Sequence, residues 1–506
     1  MIRRLRIRPR PHPFAAICLV VLAAQLAGFL VYSSYLYGHF DLLEDFAHNA
    51  QAWFLIGHGH WSPLDTVRIP STPFVRDHLD LIMWPLSLLH FLWDSPFWLL
   101  VAQDLAVVTA EAVTLYWIWL LLVQHLDRHR TAAGVLALVV LVANAWWYET
   151  VSFDVHLTPL GLPMLVLTGY WLWRGRWGRA SLAAAACLLF GAVVTELLVF
   201  VGLGGLLVIL LRRHRDRRGV VVAVAVAVLA GLWVVTVTGL GANQASNLAS
   251  QYSYLVNGDG HAGTLALLGG VLRHPLRAGH MLARRAHAML RPLVTAGVVG
   301  VASPVGLLVA VGSLVPAGLA LSPSFSSVND SFQTLAVIPF VLVGSVMVLL
   351  WLGRRFRPRR RGQKGIVWAL ACLLALTAVV QDARLLIHLR QTWWTVTPSA
   401  AAALRRGLDH TPPSAEVIAS NGVIGRFSQR RFVYPLQLSP QAFPVHSADV
   451  VLVIATAGNE ALARPQIDAD VRFARHRLHA RIVSRGAGAT VLRWHAPTAK
   501  HRIVFP

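Results

Sequence analysis

Long apolar runs fill the chain from residue 14 to residue 387, and short arginine clusters punctuate them. The runs at 14–37, 220–239 and 335–352 each approach the ~20 apolar residues that a helix needs to cross a bilayer core. No soluble fold of this size needs so many of them. The chain therefore reads as mainly α, a polytopic transmembrane helical bundle. Its function must be sought in the polar residues that the helices leave over.

Composition supports that reading. Of 506 residues, 56% are apolar and 13% charged, the latter about half of the ~25% usual in soluble proteins. The formal net charge of +22 is almost all arginine, the only lysines being Lys364 and Lys500. Arginines gather at 3–10, 174–179, 212–218 and 354–361, each beside an apolar run. That is the positive-inside pattern of cytoplasmic loops, not the basic stripe of a nucleic-acid binder, so nucleic acid is not an expected partner. Cys18, Cys187 and Cys372 lie inside apolar runs and form neither a disulfide framework nor a metal motif. The first run is too long for a signal peptide and lacks a small-residue cleavage site, so it is expected to be an uncleaved helix.

Parity then orders the chain. Arg3–Arg10 places the N-terminus in the cytoplasm. Helices are expected at about 14–37, 97–123, 132–148, 157–173, 219–239, 335–352 and 366–387. The block 180–211 lies between two arginine clusters, so it crosses twice and turns near Thr195-Glu196. The block 293–320 also crosses twice, turning near Ser303-Pro304, which brings the total to about eleven helices. Residues 81–93 are apolar but too short to span, and fit a helix lying at the interface. Trp146-Trp147-Tyr148 reads as an aromatic interface belt. The expected division is a membrane domain at 1–389, with external loops at 38–96 and 240–292, and a soluble external domain at 390–506. In that tail 416–420, 431–436, 449–455, 480–484 and 489–494 are strand-like, and 398–408 and 459–475 helical, enough for a small α/β core.

Chemistry-bearing residues concentrate just past the first helix. Asp41, Glu44, Asp45 and His48 recur at three- and four-residue spacing, which puts them on one face of a helix. Such a cluster can supply a general base, hold a divalent cation such as Mg or Mn, or be a solvated acidic loop start. Asp77 and His78 precede the short apolar segment, where catalytic use and helix capping both fit. Glu111 and Glu196 lie within apolar blocks. A mid-membrane acid costs about 2.5–3.5 kcal/mol unless paired or lining a cavity, although Glu196 can also sit in a hairpin turn. Asp154 and His156 fall in a short turn between helices. His58 and His60 flank Gly59 with no third metal ligand at a suitable spacing. No nucleotide-binding loop, nucleophile elbow or zinc-protease motif is present.

Several segments carry a resemblance: Asp45-Phe46-Ala47, Gln51-Ala52-Trp53, Leu55-Ile56-Gly57-His58-Gly59, Asp77-His78, Met83-Trp84-Pro85-Leu86, Phe153-Asp154-Val155-His156, Thr195-Glu196 and Ser303-Pro304-Val305-Gly306. The tail adds Ala419-Ser420-Asn421, Arg430-Arg431-Phe432-Val433-Tyr434 and Ala448-Asp449-Val450-Val451. In this order they resemble an uncharacterised bacterial family of polytopic membrane proteins (domain of unknown function 2079), which groups with the GT-C glycosyltransferase superfamily. The resemblance implies a multi-helix enzyme that takes a sugar from a polyprenyl-phosphate carrier on the outer face, with an essential acid in the first external loop. That role falls on Asp45, with Asp41 as its rival, and Asp77 and His78 at the second acidic position.

Three readings follow. A lipid-linked sugar transferase in the bacterial cytoplasmic membrane would use Asp45 as base and Asp77 or His78 for orientation. Glu44, His48, Glu196, Asp154 and His156 would line its site, and Arg284 and Arg285 would hold the lipid phosphate. Its acceptor would be a cell-envelope glycan or protein. A transporter would need several charged residues along the spans, and few are visible. A non-catalytic envelope scaffold would leave the acidic loop dispensable.

Overall fold

The computed structural model describes residues 13–76, 79–126, 129–212, 216–240, 250–256, 264–321, 334–355, 362–390, 393–437, 440–458, 462–497 and 501–506. The chain opens with α1 (Pro13–His39), followed by α2 (Glu44–Gly57), a short hairpin of β1 (Leu64–Asp65) and β2 (Thr72–Pro73), and α3 (Met83–Ser87). The bundle continues with α4 (Phe97–His125), α5 (Arg130–Val142), α6 (Ala145–Phe153), α7 (Leu157–Arg174), α8 (Trp177–Cys187), α9 (Gly191–Leu210) and α10 (Arg217–Leu240). After α11 (Thr264–Arg273) and α12 (Pro275–Thr295) come α13 (Pro304–Leu319), α14 (Val337–Arg355) and α15 (Gly362–Leu389). Among the described residues, seven helical stretches are long and apolar enough to cross a membrane, and Trp177–Phe190 and Pro304–Leu319 are shorter apolar helices. The protein is a multi-pass membrane protein.

The arginine-bearing connections gather at one end of the bundle. Trp177 Nε1 donates to Asp216 at 2.9 Å, Arg212 donates to the Trp173 carbonyl, and Arg354 bonds His125. The loop between α1 and α4 and the C-terminal unit occupy the other end.

Several expectations shift. The reversal in 180–211 falls at Leu188–Phe190 and Gly191, whose φ of +81° suits a glycine. Thr195 and Glu196 lie inside α9, where the Thr195 hydroxyl donates to the Gly191 carbonyl at 2.7 Å. A polar pair in an apolar run imitates a turn, but a threonine can satisfy itself on its own helix. In 293–320 the turn stands at Ser303, which caps α13 by accepting from Gly306 N at 3.1 Å. The preceding arm, however, is no separate apolar span. It is the end of the arginine-bearing α12 and a 3-10 segment at Val298–Ala302. Leu282 and Met289 of α12 pack against Gly318 of α13.

Trp146-Trp147-Tyr148 forms no interface belt. The helix breaks at Asn144, whose side chain accepts from Trp146 N at 3.2 Å, and α6 turns both tryptophans inward, Trp147 being fully buried. Buried acids are also more numerous than the sequence suggests. Asp104 and Glu111 on α4, Glu149 on α6 and Asp382 on α15 are all buried. Glu111 accepts from Gln25 of α1 at 3.1 Å, and Asp382 accepts from Ala145 N at 3.0 Å, at the start of α6. Asp104, Glu149 and Asp382 lie near segment ends in the sequence, which hides their burial.

The tail folds as an α/β unit. α16 (Pro398–Asp409) leads to β3 (Glu416–Ser420), β4 (Val433–Leu436), β5 (Gln441–Val445) and β6 (Asp449–Ala455). α17 (Arg464–His476), β7 (Arg481–Gly486), β8 (Ala489–His495) and β9 (His501–Phe505) complete it. The five-stranded sheet has the order β4-β3-β6-β8-β7, with β3 parallel to β4 and β6 and the other pairs antiparallel. β5 and β9 form a separate antiparallel pair. One core, with Tyr434, Phe443, Ile454, Ile467 and Phe505, belongs to the tail alone. The other is completed by Phe40, Ala47 and Val67 of the first loop.

Candidate functional site

The site grows from the way α1 hands over to α2. Phe40 takes a left-handed conformation, φ +65°, uncommon for a bulky residue and held by its surroundings. Its ring is fully buried, near Phe427 and beneath the Arg426 guanidinium, 5.0 Å from the ring centre. The last α1 carbonyls, which have no intrahelical partner, accept from the tail: Tyr37 O from Arg426 at 2.9 Å and Gly38 O from Arg405 at 2.9 Å. Cations at a helix C-terminus also complement its dipole.

Asp41 then turns away from α2. It accepts from Thr395 N at 2.9 Å and from the Thr395 hydroxyl at 2.6 Å, tying the loop to the segment that enters the tail. Burial pushes its carboxyl above the usual range, partly offset by these bonds. The helix expected from Asp41 onward begins at Glu44, so Asp41 does not share the helix face.

The first turn of α2 has no side-chain cap of its own, since Leu43 precedes it. Asp154, from the turn between α6 and α7, supplies the missing acceptor: Phe46 N donates to its Oδ2 at 3.0 Å. Asn49 of α2 reaches back to Val155 O at 3.3 Å. Gln103 of α4 fixes the same turn by donating to Thr150 O and Asp154 O at 3.1 and 3.0 Å and accepting from His156 N at 2.9 Å. The turn is thus buried and fully braced.

These contacts place Asp45 between two basic groups. One carboxylate oxygen lies 3.3 Å from Arg68 Nη2, the other 3.8 Å from His156 Nδ1. Arg68 Nη1 also lies 3.4 Å from Glu44. The Asp45 side chain remains 30% exposed, so solvent or a ligand can reach it. Arg68 is aimed by Asp65, which accepts from the Val67 and Arg68 amides at 3.0 and 3.3 Å and from His48 Nδ1 at 2.8 Å. His48 therefore shapes the loop and does not face Asp45. A second brace joins loop to tail. Buried Gln51 donates to Thr66 Oγ1 at 2.8 Å and Arg431 O at 2.9 Å and accepts from Thr66 N at 3.0 Å; the Thr66 hydroxyl donates to Val433 O at 2.8 Å.

Of the expected site residues, Asp45, Glu44, Asp154 and His156 meet here. Glu196 is half-buried in α9, where it acts electrostatically on Tyr252. Arg284 is exposed on α12, and Arg285 donates to Leu321 O at 3.1 Å. Asp77 and His78 lie outside the described residues. Arg68, Asp65, Gln103 and Thr395 escaped the sequence reading. Arg68 was visible as a basic residue in an acidic loop, whereas Thr395 carried no signal.

No curated protein matches the chain. The solved structures similar to it include two of ArnT from Cupriavidus metallidurans. The one bound to undecaprenyl phosphate has 14% identity, covers 97% of this chain and 98% of its own, and gives a TM-score of 0.43. The apo state has 13% identity, covers 95% and 97%, and gives a TM-score of 0.49. The model of a family described as predicted membrane protein (DUF2079) matches residues 39–489. That span contains the first loop, the bundle from α2 onward and the tail up to β8, and the chain belongs to this family.

Proposed function

We propose that the chain is a glycosyltransferase of the outer face of the bacterial cytoplasmic membrane, drawing its sugar from a polyprenyl-phosphate carrier. The N-terminus is then cytoplasmic and the tail external, next to a cell-envelope glycan or protein acceptor. The observation that carries this reading is Asp45: a reachable carboxylate, held between Arg68 and His156 where bundle, first loop and tail converge. The family resemblance puts its essential acid at the same position.

In this reading Asp45 accepts the proton of an acceptor hydroxyl as that oxygen attacks the anomeric carbon. The bond from the anomeric carbon to the phosphate oxygen breaks, and polyprenyl phosphate leaves with the bonding pair. His156 and Arg68 hold the carboxylate in place. Among the described residues Arg285 Nη1 is buried without a hydrogen-bond partner, a donor left over for a phosphate, with Arg284 beside it. Asp77 and His78 keep the orienting role that the resemblance implies. Mg or Mn at the acidic cluster competes with Arg68, whose guanidinium already pairs with both Glu44 and Asp45, so no step is routed through a cation. Asp41, with three of its surroundings committed to the Thr395–Val396 backbone and hydroxyl, serves as a tether.

The scaffold reading draws on one observation: both oxygens of Asp45 already have basic neighbours. The two readings part in cells carrying Asp45→Asn as the only copy. The transferase reading expects the lipid-linked sugar donor to accumulate. Normal donor turnover with a stably inserted Asp45→Asn protein moves the base to Asp41, and silence in Asp41→Asn as well establishes the scaffold.

A further inference from the structure

The far end of α2 carries a second cluster that the transferase reading does not use. His58 follows the last turn of α2, His90 lies in the 3-10 segment Leu88–Phe91, and Asp94 precedes α4. One ligand atom from each lies within 4.8 Å of the others. His58 Nε2 is 3.6 Å from one Asp94 oxygen, and His90 Nδ1 is 3.8 Å from the other. A tetrahedral zinc with nitrogen and oxygen ligands sets neighbouring ligand atoms about 3.4 Å apart, so small side-chain rotations close the set.

Two details favour an ion over a chance meeting. His58 Nδ1 lies 2.8 Å from Phe54 O. A carbonyl only accepts, so Nδ1 donates there and Nε2, the atom left for a metal, faces Asp94. Backbone carbonyls commonly orient metal-bound histidines in this way. His90 Nδ1 is buried and has no hydrogen bond among the described residues, an orphan that a metal bond would satisfy. Gly57 keeps the space open, since a Cβ there would meet His90 Cγ at 3.1 Å.

We propose that His58, His90 and Asp94 bind a zinc ion, with a water in the fourth position. Two imidazoles and a carboxylate suit zinc better than the hard cations expected of an acidic loop. The ion would fasten the end of α2 to the exposed apolar residues Leu88, Phe91, Leu92 and Trp93, fixing how that segment meets the membrane surface. The His58–His60 pair, which lacked a third ligand in sequence, gains two from segments more than 30 residues away, and His60 is not among them.

The test uses the full chain without a histidine tag, purified in detergent, stripped with a chelator and titrated with zinc chloride. One zinc per chain is expected, with a Tm that rises with zinc concentration. His58→Ala and His90→Ala should each weaken zinc binding at least ~100-fold, the upper end of what loss of even an outer partner costs, whereas His60→Ala should leave it unchanged. Asp94→Asn, at a half-exposed position that puts folding least at risk, should weaken it at least ~10-fold. A wild-type chain that holds no zinc overturns the proposal, and so does undiminished binding in Asp94→Asn.

Discussion

At the N-terminal end of α2, Glu44 and Asp45 meet the Arg68 guanidinium and Asp154 meets a backbone N–H. At its C-terminal end the His58 and His90 imidazoles meet the Asp94 carboxylate. The ends are about 20 Å apart, thirteen residues at the helical rise. The first is paired with Arg68 and His156 and leaves the Asp45 carboxylate reachable, as a general base requires. The second brings three ligand atoms together, as a metal site requires. A single, largely buried helix thus carries the proposed base at one end and the proposed zinc ligands at the other, each set by what packs against it.

The sharpest way to break this contrast is Asp45→Asn. It keeps the shape and removes the base, and transfer should fall at least ~100-fold, the lower range for losing general-base catalysis. Zinc retention should not change. The measurement is donor turnover in membranes beside metal content of the purified protein. A loss of zinc alongside the loss of transfer would mean that the variant disturbs all of α2.

Gln51 tests the joint between loop and tail. It is buried and contacts Thr66 and the tail carbonyls at once. Gln51→Ala should destabilise the full chain by about 2 kcal/mol, because the Thr66 amide and its partners lose their bonds inside the protein. Thermal unfolding in detergent should show a lower Tm. An unchanged Tm would mean that the tail rests on its two cores alone.

How much of this could be read from sequence differs by region. The tail strands announced themselves because Val450-Val451-Leu452-Val453-Ile454 is a continuous buried run and its neighbours have strand length. β5 and β9 did not, since β5 carries Pro444 and the pair lies outside the main sheet. Spanning helices were legible from apolar length. Their interruptions were not, because Asn144 and Gly191 break helices through local bonding and conformation that hydropathy ignores. Within the site, Asp45 was legible through the resemblance. Arg68 became its partner only through the β1–β2 hairpin and Asp65, and His90 joined His58 only through the fold of residues 81–94. Contacts between segments distant in sequence carry no periodicity to read.

The smallest expected effect probes the cap itself. Asp154 replaces the side-chain cap that Leu43 does not provide, so Asp154→Ala should cost about 1 kcal/mol, as loss of a capping acceptor does. Asp154→Asn keeps an acceptor oxygen at the same place and should cost less than half as much. Hydrogen exchange at the first turn of α2 reports both, and faster exchange at Phe46 is expected in the alanine variant. Equal losses in the two variants would show that the negative charge, acting on the helix dipole, matters more than the bond to Phe46. Zinc affinity is the control. The cap and the zinc ligands sit at opposite ends of a rigid helix, so neither substitution should alter it. A shift in zinc affinity with Asp154→Ala would show the two ends of α2 to be coupled, and the separation of acid–base and metal chemistry would then have to be abandoned.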